Sequence, residues 1–250
     1  KLYVVEALGE PVGKIWQELQ AKYTREGLFY VSSPLSNTPL PVYQWIIDRS
    51  VSFENWNKMR FILMDEQVES VEPPFVYIPS DHPACYERFA RQKLLNPLSQ
   101  KLNIRLDTSV LKPELDHLET FDRIIQDHRG IDLLILAIGT RGHYAQVMPA
   151  TKINTGFHVA RLIPEFIEAH TKNSGPYEGT KFREYGMSLG PQQVLSAKNV
   201  VVIVSGEMKR DLTKQLLAYD SFDPEFPLSI IYDPKIKDRV RIFLTKDVLR

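Results

Sequence analysis

The amino-acid sequence predicts an α/β fold in which helices flank a mostly parallel sheet. Three observations carry the prediction. Ile131–Ile138 is an apolar run broken only by Asp132, the pattern of a strand buried on both faces. Val200–Val204 is a second such run, made of β-branched residues. Around them lie stretches with apolar residues at helical spacing, so strands and helices alternate along the chain. In open parallel sheets ligands bind outside the carboxyl ends of the strands. The turn Gly139-Thr140-Arg141-Gly142-His143 therefore makes Arg141 and His143 the first candidates for function. A tight turn carrying two solvated side chains is the competing explanation.

In chain order, Leu2–Val5 is a short strand, and Pro11–Tyr23 is a helix with Val12, Ile15, Trp16 and Leu19 on one face, stopped by Gly27. The strand Leu28–Ser33 leads through Pro34–Pro39 into a helix from Leu40 to about Arg49, with Thr38 as its N-cap and Pro39 at the first helical position. That loop can hold an anion, because helix N–H groups and the Ser36, Asn37 and Thr38 side chains can all donate to it. Met59–Met64 is a buried strand that delivers Asp65-Glu66 at its end. The pair suits a general base beside an orienting carboxylate, or a simple strand-end turn. Pro73, Pro74 and Pro79 make 69–80 a loop, after which Ser80 or Asp81 caps a helix over 83–95.

Ile104–Leu106 reads as a short strand, and Leu118, Phe121, Ile124 and Ile125 mark a helix ending near Gly130. Residues 149–156 form a loop, 157–167 are apolar without a clear period, and Thr171–Thr180 has the composition of an exposed, mobile turn. A short helix ends near Ala197. A helix over Glu207–Tyr219 carries Lys209 and Arg210 in its first turn, where cations oppose the helix dipole unless an anion is bound. Strands at Ser229–Tyr232 and Val240–Leu244 complete one domain over 1–250, a Rossmann-like three-layer fold.

Composition narrows the function classes. Acidic and basic residues balance at 31 each, so no net field draws the protein to nucleic acid or a membrane surface. One cysteine, Cys85, excludes an intrachain disulfide framework and fits a reducing compartment, and no apolar run is long enough to span a bilayer. The expectation is a cytoplasmic protein, with homo-oligomerisation left open. The six histidines lack metal-site spacing, and neither a Walker loop, a dinucleotide fingerprint nor a nucleophile elbow is present. No cofactor or metal is expected.

Several stretches together carry a resemblance. In order they are Pro34–Leu40, Met64-Asp65-Glu66, His82-Pro83-Ala84-Cys85-Tyr86, Gly130–His143, Gly190 and Ser205-Gly206-Glu207-Met208-Lys209. The chain resembles the glucosamine-6-phosphate deaminase/isomerase and 6-phosphogluconolactonase superfamily from about Leu28 onward. The resemblance implies a phosphorylated sugar as ligand, held by Ser36, Asn37, Thr38 and Lys209 with help from Arg183. It makes Asp65 the base that moves a proton between sugar carbons, with Glu66 beside it, and His143 the ring-opening or water-activating group.

The sequence also departs from that pattern. The acid expected before Gly142 is Arg141, and the glutamate that deaminases place five residues after the histidine is Met148. Pro149-Ala150-Thr151 is similar to a lactonase Pro-Gly-Thr, yet the lactonase Asp-Glu-Arg is Asp65-Glu66-Gln67 here. The phosphate loop has Ser36 and Asn37 in place of glycines. Three readings follow. The first is a sugar-phosphate isomerase or deaminase with Asp65 as base, His143 as acid/base and Arg141 binding a further oxygen. The second is a lactonase-like hydrolase in which His143 activates water and Arg141 stabilises the oxyanion. The third is a sugar-phosphate sensor without turnover.

Overall fold

The computed structural model describes residues 1–106, 109–172, 177 and 179–249. With strands numbered along the chain, one sheet runs β1 (Leu2–Val5), β11 (Val240–Thr245), β10 (Val200–Val204), β7 (Leu133–Ala137), β2 (Phe29–Ser32), β3 (Met59–Ile62) and β6 (Val110–Leu111). Every neighbouring pair in it is parallel. The apolar run of β7 is explained by its two faces. Leu133 and Ile135 enter a core shared with helices α1 (Gly9–Glu26) and α2 (Leu40–Arg49), while Leu134 and Leu136 enter a core shared with α5 (Leu118–Asp127) and α7 (Pro191–Ser196). From β2 the chain moves outward through β3 to β6, and from β7 it moves the other way through β10 to β11, so the direction of winding reverses between β2 and β7. Such a reversal opens a crevice at the carboxyl ends of the two strands.

A second, antiparallel sheet has the order β5 (Val76–Tyr77), β4 (Asp65–Ser70), β9 (Tyr185–Ser188) and β8 (His158–Arg161). It changes the reading of Asp65-Glu66. The pair does not sit in a turn at the end of β3; it opens β4, where Asp65 pairs with Ser188 and Glu66 with Met187. The prolines of 69–80 occupy the hairpin between β4 and β5 and the chain beyond it.

Other expectations are corrected by local hydrogen bonding. Ser229–Tyr232 is no strand but part of a 3-10 helix, Pro227–Tyr232; Pro227 cannot donate to a ladder, and the tight turns bury Leu228, Ile230 and Ile231 together. Ile104–Leu106 is not a strand because Ile104 N–H closes the preceding helix onto Ser99 O (3.1 Å), beyond Asn103 at φ 52°; the edge strand forms later, at β6. The helix expected over 83–95 begins at α3 (Tyr86–Ala90), capped by Cys85 Sγ rather than Ser80 or Asp81, and continues through a π turn, Arg91–Leu95, into α4 (Asn96–Leu102). Residues 157–167 resolve into β8 and the start of α6 (Pro164–Lys172). The Glu207–Tyr219 helix is a 3-10 turn, Glu207–Lys209, followed by α8 (Arg210–Leu217). The mobile turn expected over Thr171–Thr180 falls largely outside the described residues.

Candidate active site

A cleft of about 530 Å³ opens where the winding reverses, between the residues after β2, β7 and β10. Its floor is the turn after β7. Arg141 at φ 59° and Gly142 at φ 74° fold the chain back sharply, and a Cβ on Gly142 would strike the Phe226 ring. Gly139 lies directly under His143, so any side chain there would collide with the imidazole. His143 Nδ1 donates to Thr140 O at 2.6 Å, and the ring packs edge-on against Phe166. Burial, with nearby His170 and Lys209 adding to it, pushes the His143 pKa down to about 3, so the imidazole is neutral and Nε2 is an acceptor. Among the described residues nothing hydrogen-bonds that Nε2.

Lys209 enters from the other wall. The short 3-10 turn after β10 removes it from α8 proper, and its Nζ reaches back to donate to Ile138 O (2.8 Å) and Thr38 Oγ1 (3.4 Å). Burial lowers its pKa to about 8, and among the described residues no carboxylate pairs with it. Ser36, Asn37 and Thr38 line the same end of the cleft. Thr38 is not the N-cap of α2: Pro39 occupies that position with helical angles, which leaves the threonine hydroxyl for Lys209.

Asp65 and Glu66 have parted company because adjacent strand residues face opposite ways. Asp65 lines the cleft, is buried, and accepts no hydrogen bond among the described residues. Burial, reinforced by the neighbouring Glu66, raises its pKa well above the usual carboxylate range. Glu66 is turned away from the cleft. Its carboxylate accepts the N–H groups of Gln67, Tyr86 and Glu87, each at 2.9 Å, and the Cys85 thiol at 3.3 Å. It anchors the start of α3, so its carboxylate is engaged there and does not face Asp65 across the cleft. Cys85, whose thiol burial pushes up to about 12, belongs to the same anchor.

Two predicted residues do not join the site. Arg141 points to Glu165 at the first turn of α6 (3.6 Å), with its side chain half exposed, and does not line the cleft. Arg183 is tied to Glu69 (Nε–Oε2 2.5 Å) on the rim of the second sheet. Among the cleft residues to which the sequence assigns no role are Tyr86, inside a motif noted for its order alone, and His170. His170 could have been found from the i, i+4 spacing that puts it on one helix face with Phe166, had Pro164 been read as a helix start. For metals, the one converging group among the described residues is Glu114, Asp116 and His117, which is exposed and does not line the cleft.

Fold and cleft together define a doubly wound α/β protein whose switch-point crevice presents a lysine, hydroxyls, a carboxyl and imidazoles. Over residues 11–240 the sequence matches the family of glucosamine-6-phosphate isomerases and 6-phosphogluconolactonases, and the chain belongs to that family. It is 27% identical over 221 residues to the glucosamine-6-phosphate deaminase of Clostridium beijerinckii, covering 86% of each chain. Its fold superposes on a monomeric glucosamine-6-phosphate deaminase with a TM-score of 0.73 at 17% identity, covering 99% of this chain and 98% of that one. It superposes on the 6-phosphogluconolactonase of Thermotoga maritima with a TM-score of 0.66 at 19% identity, covering 98% and 99%. No helix among the described residues is long and apolar enough to cross a membrane.

Proposed function

We propose that this protein is an enzyme that transfers a proton between adjacent carbons of a phosphorylated sugar or amino sugar. The observation that carries the reading is that one cleft holds both a buried carboxyl with no hydrogen-bond partner, Asp65, and a partly buried ammonium with no counter-ion, Lys209, among the described residues. Each costs stability where it stands, and a ligand with a phosphate at one end and a reacting carbon at the other would relieve both. The phosphate lies against Lys209 and the Ser36–Thr38 loop. After its own proton has left to solvent, the ionised Asp65 carboxylate takes the proton from one carbon and returns it to the next, while His143 Nε2 accepts a hydrogen bond or proton from a sugar hydroxyl.

The relatives' names set the substrates to test. Their departures set the expected result. His143 is oriented by the Thr140 carbonyl, not by a carboxylate, and Met148 is buried in the apolar core, so the imidazole has no acid to stabilise its charged form. A neutral Nε2 facing the cleft also supports the second reading, in which it takes a proton from water during lactone hydrolysis.

The experiment follows sugar-carbon proton exchange in D2O by NMR, with glucosamine 6-phosphate and fructose 6-phosphate, beside a 6-phosphogluconolactone hydrolysis assay. The proposal expects exchange that falls roughly 10²–10⁴-fold in Asp65→Asn. Exchange that survives the substitution defeats it. Lactone hydrolysis that survives Asp65→Asn but is lost in His143→Ala establishes the second reading instead. Binding with neither reaction leaves the sensor.

A further inference from the structure

His170 has no part in the proton transfer above, yet it lines the same cleft as Lys209. Its Nδ1 donates to Phe166 O, one turn back on α6, at 2.9 Å. That bond fixes the tautomer and leaves Nε2 as the free ring nitrogen, unlike His158, whose Nε2 is sealed in the interior. The ring stacks on Phe166 (centroids 4.0 Å, 24°), and Phe182 packs against it at a tilt (5.2 Å, 48°), so two aromatic neighbours hold its position. The helix carrying it is tied at its first turn to the cleft floor by Arg141–Glu165.

We propose that His170 is a proton-switched anion-binding residue, which takes up a proton at Nε2 as a phosphate monoester dianion enters the cleft and so adds a second cation to Lys209. This rests on the sugar-phosphate reading of the cleft. The groups facing the imidazole decide the switch. From the turn after β7 comes His143, its ring 6.0 Å away and neutral; from the turn after β10 comes Lys209. Phe182 offers only a ring, and on its own helix Glu168 and Lys172 pair with each other while Glu165 is engaged by Arg141. No carboxylate faces His170 among the described residues. Burial, together with the Lys209 charge, holds its pKa below the usual histidine value. A bound dianion reverses the sign of the local field and the proton becomes favourable, with its N–H donating to a phosphate oxygen.

The chemistry predicts discrimination by charge. A phosphate monoester, whose second pKa is about 6, recruits the proton near neutrality; a sulfate monoester of the same sugar, carrying one charge, recruits it poorly.

The test is calorimetry at pH 7 with sorbitol 6-phosphate, which lacks the carbonyl needed for turnover, in two buffers of different ionisation enthalpy. The wild type should bind with net proton uptake, and its affinity should fall by up to about ten-fold per pH unit as the pH rises past neutrality. His170→Gln keeps a polar side chain that cannot titrate in this range; it should bind more weakly and lose most of the uptake, retaining only the small share due to Lys209. The His170 Cε1–H NMR signal, assigned by its absence in the variant, should move to the imidazolium position on ligand addition. If the wild type binds without proton uptake, or if uptake is unchanged in His170→Gln, the proton switch is wrong while the phosphate cleft stands. If the wild type does not bind sorbitol 6-phosphate or inorganic phosphate, both readings fall together.

Discussion

One aspartate is buried at the amino end of β7 and another lies beyond the carboxyl end of β3, where β4 begins, and their surroundings are opposite. At the amino end of β7, Asp132 accepts the Tyr30 N–H (2.8 Å) and Lys198 Nζ (2.7 Å), with His128 Nε2 at 2.7 Å. At the cleft, Asp65 accepts nothing among the described residues and Lys209 faces no carboxylate. A buried charge with three donors is a staple that joins β7, β2 and the approach to β10. A buried carboxyl with none is a cost retained in the folded state, and such costs concentrate where a ligand is to supply the missing partner. Glu66 shows the contrast over a single residue, since it carries four donors where its neighbour carries none.

The comparison can be broken by substitution. The largest effect is expected from Asp132→Ala, which strands Lys198 and the Tyr30 N–H and should cost about 3–5 kcal/mol in denaturant unfolding. A smaller loss would mean that the staple is replaceable by water. Glu66→Gln should cost about 1–3 kcal/mol, because its amide cannot accept all four donors, while ligand affinity in the cleft changes little. Affinity lost with stability intact would return Glu66 to the active site.

Asp65→Asn should move stability the other way, raising it by roughly 0.5–2 kcal/mol at neutral pH. The sign follows from the raised carboxyl pKa: above the unfolded value near 4 the unfolded chain has released its proton while the native state still holds one, so the wild type loses stability as pH rises. The gap between variant and wild type should therefore close toward pH 4 in thermal melts, and a gap constant with pH would contradict the assignment. The smallest effect belongs to Arg183→Ala, whose partly exposed pair with Glu69 should contribute less than about 1 kcal/mol and whose loss should leave phosphate affinity unchanged.

Much of this was legible in the chain because it depends on local pattern. An unbroken apolar run reports burial on both faces, and helical spacing reports a covered face, so the parallel sheet and the strand-end position of His143 and Lys209 follow from periodicity and topology. The roles of Asp65 and Glu66 do not. Adjacent in sequence and alike in chemistry, they are separated by the alternation of β4, a strand of a second sheet whose partner β9 lies about 120 residues away.

Arg141 and Arg183 show the same limit. Arg141 is singled out by its strand-end turn and Arg183 by the family resemblance, and each is claimed by a glutamate, Glu165 or Glu69, that no local signal connects to it. His170 is the converse case, an unremarked residue that α6 carries onto the cleft wall. By itself, then, the sequence determined the layered fold, the crevice and the identity of the groups at the strand ends, because burial and chain reversal are written in short-range patterns. Which charges are paired and which are left open to a ligand was decided by long-range packing, since a side chain's partner depends on where distant segments meet.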